Sequence, residues 1–84
     1  MINYVNVYTK KDISLKNGMW VMNDSGQPAT GLRKSFYGNG VIQDETTLLN
    51  GVNNGVQRVY DQTGNLWFEN TWKNGLLVSF KKIS

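Results

Sequence analysis

The side chains of this chain that could suggest catalysis are three carboxylates, Asp44, Glu45 and Glu69. General acid–base chemistry needs two such groups close together and removed from water. Glu45 and Glu69 could meet that need only if the fold places them side by side. The simpler interpretation is that each carboxylate pairs across strands with a cation, Lys34 or Arg58, and contributes about 0.2–1 kcal/mol. The pattern therefore favours structural ion pairs over a catalytic pair.

The residue types that most active sites and metal sites use are missing. The chain contains no cysteine and no histidine, so Ser-His-Asp and Cys-His arrangements, thiolate chemistry and the commonest metal ligands are excluded. The glycines at Gly38 and Gly40 are not followed by the Gly-Lys-Ser/Thr of a phosphate-binding loop. We therefore expect a protein that is not an enzyme, with no catalytic residues, no cofactor and no metal.

Length and charge indicate one small domain. The chain has 84 residues and a net charge of +3, with lysines near both ends. This excess is milder than the dense basic stripe of a typical nucleic-acid binder. The N-terminus lacks the features of a signal peptide, and no segment is apolar enough for a membrane helix. These features predict a cytoplasmic protein, or one exported by a route without a cleaved signal.

Turn signals divide the chain into short strands. Asn-Gly, a strong signal for a tight hairpin turn, occurs five times, beginning at Asn17, Asn39, Asn50, Asn54 and Asn74. Between the turns, polar and apolar residues alternate with a period of two, from residues 4–8 onward, which is typical of β-strands. Only residues 11–15 allow a short helix. The sequence thus predicts an all-β protein.

The same period assigns residues to the two faces of each strand. One strand has Leu32, Lys34 and Phe36 on one face, with Arg33, Ser35 and Tyr37 on the other. A later strand has Leu66, Phe68 and Trp72 on a face that we expect to be core. Trp67 then lies on the opposite face, where a single-layer sheet would leave it exposed to a partner.

An internal repeat of 24 residues organises the second half of the chain. When Gly31 is superimposed on Gly55, residues of identical or similar chemistry align without a gap, including Glu45 with Glu69. Each unit is predicted to be one hairpin of an antiparallel meander, forming a single sheet or a small two-layer arrangement. The single domain then comprises N-terminal strands and a degenerate cap (1–30), two repeats (31–54 and 55–78) and a C-terminal tail (79–84).

These repeats resemble a known family. The matching residues are Thr30-Gly31, Phe36-Tyr37, Asn39-Gly40, Glu45, Asn50-Gly51, Gly55, Tyr60, Gly64, Glu69, Trp72 and Asn74-Gly75. This pattern resembles the MORN-repeat variant of YwqK-type antitoxins. The resemblance implies a sheet of hairpin repeats and a bacterial antitoxin or immunity protein that neutralises a protein toxin by direct binding.

The sequence therefore predicts a module whose partner is a protein, most specifically a toxin. The residues expected to contact it are Trp67, Tyr37, Arg33, Glu45 and Glu69. One alternative is a platform for single-stranded nucleic acid, in which Arg33, Lys34, Arg58 and Lys73 bind phosphates while Tyr37 and Trp67 stack on bases. Another is a scaffold fragment that self-associates through free strand edges.

Overall fold

The computed structural model describes residues 6–84, and within them the predicted all-β class is confirmed. The described residues form eight strands and no helix: β1 (Val7–Tyr8), β2 (Ile13–Lys16), β3 (Met19–Met22), β4 (Gly31–Phe36), β5 (Ile42–Leu49), β6 (Val52–Tyr60), β7 (Leu66–Lys73) and β8 (Leu76–Lys82). The strand expected over residues 4–8 lies partly outside the described residues, and its described part is β1. The short helix expected over residues 11–15 is wrong, because Ile13 begins a strand there.

Six strands form the main sheet, in the order β1-β4-β5-β6-β7-β8. From β4 to β8 every neighbouring pair is antiparallel, as the predicted meander requires. The N-terminal strand β1 adds to this sheet in parallel beside β4, so the sheet is mixed. Strands β2 and β3 form a separate two-stranded hairpin.

Three of the five Asn-Gly pairs form the predicted tight turns. Asn17, Asn50 and Asn74 have φ near 50°, and the glycine after each also has positive φ, as a type I′ turn requires. Asn39-Gly40 lies in a longer turn in which only the glycine has positive φ. Asn54-Gly55 is not a turn, because both residues lie within β6.

The two repeat units have the same hairpin register. Lys34 lies opposite Glu45 in the first unit, and Arg58 lies opposite Glu69 in the second. Each hairpin also contains one extra residue at the same repeat position, Gln43 in β5 and Trp67 in β7, because the register shifts by one residue there. The 24-residue period of the sequence is therefore a period of the backbone.

The two faces of the main sheet differ in whether the β2–β3 hairpin packs on them. We call the side that carries Arg33, Thr46, Gln57 and Asn70, which lie opposite one another on successive strands, the network face. We call the side that carries Lys34, Glu45, Arg58, Glu69 and Lys81 the ladder face. The β2–β3 hairpin packs on the network face, since the Trp20 ring lies 4.7 Å from the Arg33 guanidinium.

The core lies between this hairpin and strands β4–β5. Its fully buried members are Ile13 from β2, Ala29 from the segment after β3, and Leu48 from β5. The N–H of Trp20 donates to the carbonyl of Gly51, and the N–H of Gly51 donates to the carbonyl of Ala29, so the hairpin segment is also bonded to the turn between β5 and β6. The result is a second layer over only one end of the sheet.

Two strand boundaries differ from the boundaries of the predicted layout. Strand β6 starts at Val52, three residues before the predicted start of the second unit at Gly55. The expected C-terminal tail (79–84) is largely strand, since β8 extends from Leu76 to Lys82. An apolar strand that directly follows a tight Asn-Gly turn pairs back on the preceding strand, as β8 does on β7.

Candidate interaction surface

Arg33 lies on the covered network face, although its predicted place was on a face opposite the core. Its Nη2 lies 3.4 Å from Asp44 Oδ2 and donates to Thr46 Oγ1 at 3.4 Å. Asp44 also accepts hydrogen bonds from Ser35 Oγ and from Gln57 Nε2. The prediction differs from the structure because the β2–β3 hairpin, through Trp20, covers the face of β4 that strand alternation placed opposite the core. Arg33 is thus engaged inside the molecule.

The network extends across the sheet from Arg33 to β7. Gln57 Oε1 accepts hydrogen bonds from Asn70 Nδ2 at 3.2 Å and from the Trp72 indole N–H at 2.8 Å. Trp72, expected to be core, is half-buried and hydrogen-bonded at its polar atom, as a partly buried tryptophan generally is. Polar groups of four successive strands are therefore bonded to one another beneath and beside the hairpin.

Tyr37 serves to join the two repeat units. Its hydroxyl donates a 2.6 Å hydrogen bond to the carbonyl of Tyr60, the last residue of β6. Asn39 Nδ2 likewise donates to the carbonyl of Gln62, 3.2 Å away. These bonds hold the turn of the first unit against the turn of the second. Tyr37 is half-buried as a result.

Glu45 and Glu69 lie on the ladder face, in a row of alternating charge. Along this row each strand from β4 to β8 contributes one residue, in the order Lys34, Glu45, Arg58, Glu69 and Lys81. Lys34 Nζ lies 3.5 Å from Glu45, and Arg58 Nε lies 3.4 Å from Glu69. This is the cross-strand pairing that the sequence predicted, and Arg58 lies between the two carboxylates in the row.

Tyr60 adds a hydrogen bond to this row and has a shifted pKa. Its hydroxyl donates to Glu45 Oε1 at 2.8 Å. Burial of the phenol and, after it, the bond to the Glu45 carboxylate raise the pKa of Tyr60 above its usual value. In the turn after β6, the hydroxyl of Thr63 and the backbone N–H of Asn65 bind Asp61 and lower the pKa of its carboxyl. The bond of Tyr60 joins β6 to β5, and the bonds of Asp61 stabilise the turn after β6.

Trp67 lies beside Phe68, not on the face opposite to it as predicted. The two ring centroids are 4.6 Å apart, although successive residues of a regular strand point to opposite faces. The extra residue in β7 explains the contact, because a bulge turns the side chain of Trp67 toward the side of Phe68. Trp67 remains 40% exposed. The sequence pattern alone contained no sign of this bulge.

An apolar patch surrounds Trp67 where the network face is not covered. Phe80 of β8 lies opposite Asn70, and its ring centroid is 5.2 Å from that of Phe68. We define the aromatic patch as Trp67, Phe68, Phe80 and the neighbouring Leu77. Phe80 is 61% exposed, and Leu77 is also exposed. Phe80 and Leu77 could have been found from the apolar run after Asn74-Gly75, which the sequence prediction placed outside any site.

Exposed apolar side chains concentrate in the last strand. Of the eleven large hydrophobic residues that are exposed in the described part of the chain, five belong to residues 76–83: Leu76, Leu77, Val78, Phe80 and Ile83. Leu77 and Phe80 lie on the network face and Leu76 on the ladder face. Exposed apolar surface of this extent is typical of a site of protein contact. The strand β8 and the aromatic patch together form the candidate interaction surface.

The five predicted contact residues therefore do not form one site. Trp67 lies in the aromatic patch, whereas Arg33 lies under the hairpin on the same side of the sheet. Glu45 and Glu69 share the ladder face, and Tyr37 lies at the turns. Only Trp67 combines large apolar area with solvent exposure.

A cleft of about 510 Å³ lies at the other end of the sheet. Trp20, Phe36 and Tyr37 contribute aromatic walls, and Lys10 and Lys11 lie at its rim. Arg33 and Lys34 also line the cleft, and each is paired with a carboxylate that does not line it. The cleft therefore offers mainly apolar and aromatic surface.

Metal-ligand clusters and membrane helices are not found in residues 6–84. No three acidic side chains there lie close enough to hold a metal ion together. No helix of the described part has the length and apolarity needed to cross a membrane. Comparison of the chain with protein-family models, with curated proteins and with solved structures gave no match.

Proposed function

We propose that this chain is a non-enzymatic protein-binding module whose contact surface is the aromatic patch together with β8. The observation that carries this proposal is the concentration of exposed aromatic and aliphatic side chains around Trp67 and Phe80. Tryptophan and other aromatic residues contribute most of the binding energy at many protein interfaces. A patch on a rigid sheet also loses little conformational entropy when it binds.

The carboxylates support a binding role over a catalytic one. Asp44 is paired with Arg33, Glu45 with Lys34, and Glu69 with Arg58. A general base needs a free carboxylate within reach of a substrate. Each of these three carboxylates instead has a cation within 3.5 Å, and Arg58 stands between Glu45 and Glu69 in the row.

For the class of partner we propose a protein toxin, which this chain neutralises by direct binding in the cytoplasm. The support is the resemblance of the two hairpin repeats to the MORN-repeat variant of YwqK-type antitoxins, carried by such residues as Gly31, Glu45, Gly55 and Glu69. Identical registers in the two units are what a repeat of this kind needs. An inhibitor that acts by covering a toxin needs a stable contact surface and no chemistry of its own.

The charge pairs disfavour the alternative of a nucleic-acid platform. Three of its four proposed phosphate-binding residues, Arg33, Lys34 and Arg58, are already paired with carboxylates. Phosphate binding would have to break these pairs before it released counterions from the nucleic acid. Arg33 is in addition enclosed between Trp20 and Thr46.

The test expresses this chain with the products of the reading frames that neighbour its gene. We expect one neighbour to arrest growth, this chain to relieve the arrest, and the purified pair to bind with a sub-micromolar Kd that changes little with salt. Trp67→Ser and Phe80→Ser should each weaken binding by about 1–3 kcal/mol. The matched control is Phe36→Ser, which removes an exposed aromatic ring of the ladder side and should leave the Kd unchanged.

Two results would contradict the proposal. One is relief of growth arrest without a complex of the two purified proteins. The other is equal loss of binding in the Phe36→Ser and Phe80→Ser variants, which would move the contact away from the aromatic patch. Tight binding of single-stranded oligonucleotides that weakens steeply with salt would instead support the nucleic-acid alternative.

A further inference from the structure

The last strand is similar in sequence to the first strand of each repeat unit. A shift of 24 residues from β6 aligns Phe80 with Val56 and Lys82 with Arg58, and a further shift aligns them with Leu32 and Lys34. In the two complete units the first strand lies between two neighbours: β4 between β1 and β5, and β6 between β5 and β7. Among the strands of residues 6–84, β8 has a neighbour on one side only, which is β7.

The outer edge of β8 presents free backbone groups. The N–H of Ile83 donates to the carbonyl of Trp67, so Ile83 and the residues two and four positions before it direct their backbone groups toward β7. Residues between them, Phe80 and Lys82, direct their N–H and C=O groups away from the sheet. An exposed strand edge of this length is a template on which another extended segment can pair.

The charges of β8 indicate what that segment contains. Lys81 and Lys82 are both exposed, and neither belongs to an ion pair among residues 6–84. In the two complete units the neighbouring second strand supplies a carboxylate opposite the cation, Glu45 for Lys34 and Glu69 for Arg58. The same role beside β8 calls for an acidic residue on the added strand.

A second copy of this chain does not have the required chemistry. Strand β8 contains no acidic residue, so pairing β8 with β8 of another copy would bring together strands that each carry Lys81 and Lys82. The opposite edge of the sheet is β1, which has only two residues, Val7 and Tyr8. Neither edge offers a carboxylate to the lysines of β8.

We infer that the free edge of β8 accepts an extended, acidic segment of a partner protein as an added antiparallel strand. This inference rests on the proposed protein-binding function and specifies the partner's recognition segment. The aromatic patch adjoins the same edge, since Phe80 belongs to both. The patch would then contact apolar side chains of the added strand while the backbone of β8 fixes its register.

The test uses a peptide that copies β5, because β5 occupies the corresponding position beside β4. The peptide IQDETTLL is titrated into the isotope-labelled full chain, and amide chemical shifts are followed by NMR. We expect shifts confined to β8 and the aromatic patch. A control peptide with Asp44→Asn and Glu45→Gln should bind more weakly, because it cannot neutralise Lys81 and Lys82.

Two protein variants separate the backbone contact from the charge. Lys82→Pro removes the outward N–H, and proline is tolerated at that place because the N–H faces solvent. We expect this variant to keep its dispersed spectrum and to lose about fivefold in peptide affinity relative to Lys82→Gln, as expected for one backbone hydrogen bond. Equal affinities of the two variants, or shifts at β1, would overturn the inference.

The outcomes also distinguish this inference from the proposed function. A protein partner that binds the native chain and the Lys82→Pro and Lys82→Gln variants equally would refute strand addition and leave the binding function intact. If the peptide binds at β8 but no protein partner is found, the proposed function is refuted and strand addition at the edge of β8 is not. A dimer in sedimentation that Lys82→Pro abolishes would assign the edge to a second copy and overturn the acidic-partner inference.

Discussion

At the scale of single residues, the polar side chains of this chain are used mainly to bond its own strands. Asp44 binds Arg33 and Ser35 of β4 and Gln57 of β6, the two strands on either side of its own. Glu45 binds both Lys34 and Tyr60. Side chains with such partners are held in one geometry, and an outside ligand would have to displace those partners. The candidate contacts therefore lie among the unpaired apolar residues.

The bond between Tyr60 and Glu45 leads to a pH-dependent prediction. Burial and the Glu45 carboxylate raise the pKa of Tyr60, so the folded state favours the protonated phenol. This contribution to stability is fully present below the usual tyrosine pKa of 10.0 and is lost as the pH rises through the higher pKa of the folded state. We expect NMR titration of the Tyr60 ring to show a midpoint that falls when Glu45 is replaced by Gln. An unchanged midpoint in Glu45→Gln would contradict the assigned role of this carboxylate.

At the scale of elements, irregular positions in the strands decide where side chains point. The bulge at Trp67 brings its ring to Phe68. In β6, residues 54–56 lie opposite the single residue Thr47, and Gly55 at their centre has a φ of 105°. The corresponding residue of β8 is Ser79, and there only Val78 is extra. A one-residue difference of register turns every side chain to the other face, so Phe80 lies on the network face while its counterpart Val56 lies on the ladder face.

Replacement of Gly55 tests the role of this irregularity. The backbone of an L residue is strained at a φ of 105°, and a Cβ added at Gly55 would lie 3.4 Å from Thr47 Cβ. We expect Gly55→Ala to lower the free energy of unfolding by about 1–3 kcal/mol, measured by urea denaturation. Gly38→Ala is the matched control, because Gly38 has open space around its Cα and no positive φ. Equal effects of the two substitutions would show that the backbone at Gly55 is not strained by a side chain.

At the scale of the whole molecule, a small core connects two layers of unequal size. The buried aliphatic residues in the described part of the chain are Ile13, Val21, Ala29 and Leu48. Ile13, Ala29 and Leu48 form one cluster where the β2–β3 hairpin meets β4 and β5, whereas every residue of β8 is exposed. A domain of this size has only a few kcal/mol of stability to lose. A partner bound over β7 and β8 would bury apolar side chains that are exposed in this chain.

Substitutions in β2 test whether the hairpin layer stabilises the whole sheet. Ile13 is 2% exposed and Leu15, two residues later, is 57% exposed. We expect Ile13→Val to destabilise the chain by about 0.5–1.5 kcal/mol. Leu15→Val should change stability by less than about 0.5 kcal/mol. Circular dichroism of urea unfolding measures both. If Ile13→Val leaves the unfolding midpoint unchanged, the hairpin folds independently of the sheet.

The sequence by itself determined the strands of the two repeat units, the repeat and the ion pairs, because these depend on residues that are close in the chain or related by the period. Asn50-Gly51 and Asn74-Gly75 define tight turns through their backbone preferences. The shared registers and the pairs of Glu45 and Glu69 then follow from strand alternation and the 24-residue shift.

Only the tertiary structure decided which side of the sheet is covered and which side chains remain free. Alternation separates Arg33 from Lys34, but it does not say onto which side the β2–β3 hairpin folds, since that depends on contacts distant in sequence, such as Trp20 with Arg33. Alternation also does not locate a bulge, because the residue pattern does not show where a strand contains one extra residue. For that reason Trp67 lies beside Phe68, and the candidate surface extends to Phe80 and the free edge of β8.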